Sequence, residues 1–125
     1  MDNFFLEQTN STPLIDFNAV TGELVMAGES YPENSFEFYQ PIKSWLTVFL
    51  AQHQGRVCLH VRLTYLNTSS TKIMMDFLDL LEASHQQGRA VAVIWYCDRE
   101  NERAIETAEE FKEEITFPFD ITLEP

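Results

Sequence analysis

Basic residues are scarce in this chain: eight Lys and Arg stand against 20 Asp and Glu, a formal charge of −12 over 125 residues. Such a surface repels phosphate backbones and anionic lipid, so neither nucleic acid nor a membrane surface is expected as a partner. Cysteine is scarcer still. Cys58 and Cys97 are the only two, which excludes a disulfide-framed scaffold. If their strands lie side by side in parallel, one sits near a strand start and the other near a strand end, on the order of 20 Å apart. Both are read as free thiols. Glycine occurs four times and never in a phosphate-cradling loop or a Gly-x-Ser-x-Gly elbow. No nucleophile has a His and a carboxylate in its local context, so no enzyme is read here. His53, His60 and His85 show no ligand spacing with the cysteines. Cys58-Leu59-His60 does put two soft ligands on one strand face, but no metal or other cofactor is expected. No apolar run approaches the roughly 20 residues of a membrane span, and Met1 to Glu7 lacks the basic flank of a secretory signal. A cytoplasmic protein is expected.

What the chain does have is apolar material: 45% hydrophobic residues and ten Phe, enough to fill the core of one domain over residues 1–125. Residues 1–12 carry no period and read as a loose N-terminal arm. Leu14 to Phe17 and Glu23 to Ala27 bracket Asn18-Ala19-Val20-Thr21-Gly22 and read as an antiparallel hairpin. Phe38, Ile42, Trp45, Leu46, Phe49 and Leu50 form the stripe of a helix that Asn34 or Ser35 caps and Gly55 ends, with Pro41 either kinking it or marking its first turn. A strand over 57–66, a helix over 70–86, a strand from Ala90 to Tyr96, a helix from about Arg99 to Glu114 and a strand from Phe119 to Leu123 complete the pattern. Strands alternating with helices imply a mixed, mainly parallel sheet of about five strands in an α/β domain. His60, Arg62 and Thr64 on the alternate face of a central strand imply two layers, with helices chiefly on one side.

The most informative stretch joins the strand ending at Leu66 to the next helix: Asn67-Thr68-Ser69-Ser70. Small polar residues at a helix N-terminus cap it, and the unpaired N–H groups and helix dipole there also accommodate a phosphate. On spacing alone these residues read first as caps and turn formers; Thr68, the first hydroxyl after the strand, is the one placed to carry a phosphate, with Ser69 and Ser70 better placed to cap. In a parallel sheet the loop after Tyr96 lies at the same end, so Asp98, Arg99 and Asn101 flank the switch residue. With Tyr65, Leu66, Asn67, Ser69 and Ser70 they form the candidate partner-binding rim, to which the segment 28–35 also belongs. The carboxylates of the last helix, Glu100 to Glu114, follow helical spacing around Ile105, Ala108 and Phe111 and read as a solvated face.

The run Tyr65-Leu66-Asn67-Thr68-Ser69-Ser70, with Met74-Met75-Asp76, Leu80-Leu81-Glu82 and Gly88-Arg89, resembles the SiaC family of bacterial regulatory phosphoproteins. Gly28 to Ser35, Asp98 to Arg103, Ala108 to Phe111 and Phe117-Pro118-Phe119 extend the resemblance over nearly the whole chain. The order of elements is also similar to the STAS fold of anti-sigma factor antagonists, which carry a phosphorylatable Ser or Thr after a strand. The resemblance implies a STAS-like, non-catalytic signalling protein with Thr68 as the phosphorylated residue. It further implies that the unmodified form binds and activates a diguanylate cyclase. A cognate Ser/Thr kinase and a PP2C-like phosphatase would set the modification, with output in cyclic di-GMP signalling and biofilm control. Two alternatives stand beside it: a STAS-type antagonist in a partner-switching cascade, and a small-molecule carrier or enzyme, which would show a deep polar pocket.

Overall fold

The computed structural model describes residues 1–125. Its elements run β1 (Phe4–Leu6), β2 (Leu14–Phe17), β3 (Glu23–Ser30), α1 (Ser35–Gln52), β4 (Val57–Leu66), α2 (Thr68–Gln86), β5 (Val91–Asp98), α3 (Glu102–Glu113) and β6 (Phe119–Glu124). The six strands form one sheet in sequential order. β1 with β2 and β2 with β3 pair antiparallel, and β3 through β6 pair parallel, so only β2 runs against the others. Right-handed crossovers that always step the same way across a sheet leave their helices on the same face. The three helices therefore form one layer, and the opposite face of the sheet is uncovered.

The pleat sorts the strand residues accordingly. Val57, Leu59, Val61 and Leu63 of β4 and Val91, Val93 and Trp95 of β5 are buried against the helices. Trp95 stacks on Phe111 of α3 at 5.2 Å and on Phe119 of β6 at 5.9 Å. Each such side chain, once buried, contributes roughly 1.5–3 kcal/mol. The two cysteines are free. Cys58 pairs in register with Ala92, five positions before Cys97, and an odd separation puts the two thiols on opposite faces as well as far apart.

Five sequence expectations need correction. The N-terminal arm is not loose: Phe4–Leu6 pairs with Ile15–Phe17 as a sixth strand. It is pinned where Asp2 O accepts from Trp45 Nε1 at 2.9 Å and Asn3 Oδ1 accepts from Ala19 N at 2.8 Å. Three residues are too few to show a period, and their partners lie far along the chain. β3 continues past Ala27 to Ser30 through a bulge at Gly28/Glu29, where Gly28 has φ +112°, a value L side chains rarely adopt. α1 starts at Ser35, so Pro41 lies inside the helix and does not mark its first turn. Pro41 is exposed, so the Glu37 carbonyl that loses its helical donor faces water. Gly55 does not stop that helix; His53 is already extended, with its N–H bonded to Phe49 O at 2.8 Å. α2 starts at Thr68, because its cap is Asn67 rather than Ser69 or Ser70.

Glu82 ties α2 to the loop before β6. Its Oε1 accepts from Thr116 N at 2.7 Å, and its Oε2 accepts from Thr116 Oγ1 at 2.6 Å and Gln86 Nε2 at 2.7 Å. The Thr116 hydroxyl, helped by Gln86, holds this carboxyl below its usual range. A depressed folded-state value means stability present above the unfolded value near 4.3 and lost as pH falls through the folded one. Glu82→Gln is therefore expected to cost about 0.5–1 kcal/mol at neutral pH, kept small by solvent access, and almost nothing at pH near 2. Urea unfolding at the two pH values measures the difference.

Candidate functional site

Parallel pairing brings the carboxyl ends of β3, β4 and β5 to one end of the sheet, at Ser30, Leu66 and Asp98. The helices that follow begin there too, and an asparagine caps each one. Asn34 Oδ1 accepts from Glu37 N at 3.0 Å, Asn67 Oδ1 from Ser70 N at 2.9 Å, and Asn101 Oδ1 from Ala104 N at 3.1 Å. Two of these caps also stitch the end together. Asn67 N donates to Ser30 O at 2.9 Å, and Asn101 Nδ2 donates to Thr64 O at 3.4 Å. Three helix N-termini, each with orphan N–H groups and partial positive charge, thus share one rim.

The three hydroxyls at the start of α2 have different fates. Ser70 is 1% exposed, its Oγ 2.7 Å from Ser30 Oγ and 3.3 Å from Ser35 Oγ. Ser30 Oγ is in turn 2.6 Å from the Tyr39 hydroxyl, whose pKa burial pushes up to about 12, so it stays neutral. Ser69, although exposed, bonds Ser35 Oγ at 2.8 Å and donates to Asn67 Oδ1 at 3.2 Å. Thr68 is exposed, and its hydroxyl alone of the three is left out of this network. It occupies the first helical position, where backbone N–H groups are free to meet an anion.

The other expected rim residues lie at this end as well. Tyr65 is 40% exposed and packs edge-to-face on Tyr31, itself 41% exposed, at 6.1 Å. Leu66 is half-buried, and Asp98 is spent locally, its Oδ1 accepting from Glu100 N at 2.8 Å. Arg99 is exposed and in no ion pair; its N–H donates to Glu124 O at 2.8 Å. Sequence reasoning had singled out the 28–35 block without resolving it. Ser30 and Ser35 hold the start of α2, while Tyr31 and Phe36 present aromatic surface, Phe36 being 71% exposed. Tyr39 was hidden in the apolar stripe of α1. Arg103, next to Asn101 and Ala104, lines a cavity of about 50 Å³ with Tyr65, Leu66 and Trp95. That is far below the ~300 Å³ at which small-molecule sites begin. An exposed aromatic rim of this kind is suited to another protein's surface, where Tyr and Arg anchors carry most of the energy. No helix is long and apolar enough to cross a membrane.

Known proteins match this architecture closely. An uncharacterised protein of Pseudomonas aeruginosa strain UCBPP-PA14 is 50% identical over 121 residues, covering 97% of this chain and 96% of its own. The solved structure of SiaC of Pseudomonas aeruginosa is 48% identical, with a TM-score of 0.93 over 99% of this chain and 100% of that one. A chain in the crystal structure of the diguanylate cyclase SiaD in complex with its activator SiaC, from the same organism, is 50% identical, with a TM-score of 0.93 over 97% and 99%. The family model described as SiaC family regulatory phosphoprotein matches residues 6–124. With the fold, the polar turn before α2 and these matches in agreement, the chain belongs to the SiaC family of regulatory phosphoproteins.

Proposed function

We propose that the protein, unphosphorylated, binds and activates a diguanylate cyclase, and that phosphorylation of Thr68 interrupts this contact. The observation that carries the reading is the isolation of the Thr68 hydroxyl: exposed and unbonded, beside two serines tied into the fold. The match to the activator chain of the SiaD–SiaC complex supports the choice of partner. Tyr65, Leu66, Asn67, Ser69, Asp98, Arg99 and Asn101 form the partner rim, extended by Tyr31 and Phe36; Ser70, expected in the rim from the sequence, is buried and supports it from beneath. The protein works in the cytoplasm and acts by docking, not by catalysis. A Ser/Thr kinase and a PP2C-like phosphatase set the state of Thr68, and the output is the cellular level of cyclic di-GMP and, through it, biofilm formation.

Phosphopeptide mapping after reaction with the cognate kinase is expected to find the phosphate on Thr68. Ser70 is closed to a kinase unless α2 frays, and Ser69 would have to release two hydrogen bonds. Dominant modification at Ser69 or Ser70 with Thr68 untouched would sink the assignment.

A further inference from the structure

The uncovered face of the sheet carries a second cluster, at the opposite end of β4 from Thr68. Parallel pairing places Glu23 beside Cys58, and His60 follows two residues on along the same face. One ligand atom from each, a carboxylate oxygen, the Cys58 sulfur and a His60 nitrogen, all lie within 4.8 Å of one another. Zinc bonds of about 2.0–2.3 Å put neighbouring tetrahedral ligands roughly 3.3–3.8 Å apart, so modest rotamer shifts close the set around one ion. The tightest contact, Glu23 Oε2 to His60 Nε2 at 2.6 Å, is shorter than that edge. It is the contact in which a cation replaces the bridging proton.

The surroundings also suit a ligated imidazole. His60 Nδ1 lies 3.1 Å from the Tyr96 hydroxyl, and the rings stack at 6.0 Å. A phenol donates to Nδ1 while Nε2 carries the proton, and accepts from Nδ1 once Nε2 binds metal, so one partner orients the ring in both states. Tyr96 is itself held: the Arg62 guanidinium sits 3.7 Å over its ring and pairs with Glu124 at 2.7 Å. Cys58 is only 2% exposed, whereas the side chains of His60 and Glu23 are 24% and 48% exposed, so an ion enters from their side and the sulfur closes the floor. Thiolate and imidazole prefer zinc-class ions over magnesium or calcium. We propose that Glu23, Cys58 and His60 form a binding site for a soft divalent cation of the zinc class, three protein ligands with a fourth position open to solvent.

The test uses the tag-free full chain. Titration with Co²⁺ is expected to give a thiolate-to-metal charge-transfer band that saturates at one equivalent, is displaced by Zn²⁺ and is untouched by excess Mg²⁺. Cys97→Ser should keep the band, whereas Cys58→Ser and His60→Ala should lose it while retaining the wild-type circular dichroism. Glu23→Gln and Tyr96→Phe should each weaken Zn²⁺ binding by about tenfold or more. Absence of a saturable band, or a band that persists in both Cys58→Ser and His60→Ala, would overturn the site. The result is independent of the Thr68 reading, because the clusters lie at opposite ends of β4.

Discussion

Thr68→Asp and Thr68→Glu are expected to weaken binding to the cyclase by about a hundredfold while leaving the fold intact, and Thr68→Ala to bind as the wild type but escape the kinase. The two effects separate because the same charge meets two environments. In the free protein it sits exposed at the first position of α2, where helix N–H groups and dipole favour an anion by roughly 0.3–1 kcal/mol. Beneath a partner it loses water, and an unpaired charge buried there costs several kcal/mol, enough for a hundredfold loss in affinity. A phosphate adds roughly −1.5 to −2 charges and more bulk, so the carboxylate mimics represent a lower bound. Isothermal titration of the cyclase with wild-type, phosphorylated and variant protein, beside thermal melts of each, gives both quantities. Tighter binding by the phosphorylated form would reverse the mechanism. It would direct attention to an arginine-rich reader on the partner.

Most of this site was legible before the structure, for a definite reason. A strand with period two that stops at Leu66, followed by a helix with apolar residues at Met74, Phe77, Leu78 and Leu81, leaves the turn between them no other place to be. Parallel topology then assigns the loop after β5 to the same end without any contact being known. What stayed hidden depended on long-range pairing. β1 is three residues that become a strand only against β2 and Trp45. Ser30, Ser35 and Tyr39 meet Ser70 across three elements, and no local spacing announces it. Likewise Cys58 and His60 looked incomplete as ligands, since Glu23 joins them only through the register of β3 on β4. The cap of α2 was misassigned for a subtler reason. Asn, Thr and Ser are all good caps, and propensity alone does not rank neighbours in a row of four.

That difference between adjacent hydroxyls leads to the second large effect: Ser70→Asp is expected to destabilise the protein by about 3 kcal/mol or more, where Thr68→Asp does not. Ser70 is 1% exposed, and its Oγ joins Ser30 and Ser35, the end of β3 and the start of α1, to α2. A carboxylate there adds bulk in a closed space and brings a charge that no ion pair reaches, since the ion pairs present, Lys43–Asp76, His60–Glu23 and Arg62–Glu124, involve none of these residues. Nearby hydroxyls offer some compensation, and Tyr39 stays protonated to donate, but only through Ser30. Desolvation of an unpaired buried charge outweighs what the helix N-terminus returns. For a chain of this length the loss lowers Tm by roughly 10–20 °C. Ser70→Ala removes the hydroxyl without adding charge and should cost only about 1–2 kcal/mol, the price of leaving its partners underbonded. Thermal melts of the Thr68, Ser69 and Ser70 aspartate variants, compared directly, read the burial gradient along one turn of helix. A Ser70→Asp melt within a few degrees of wild type would mean that the hydroxyl network does not close the rim, and the argument for Thr68 as the one exposed, unbonded hydroxyl of the three would go with it.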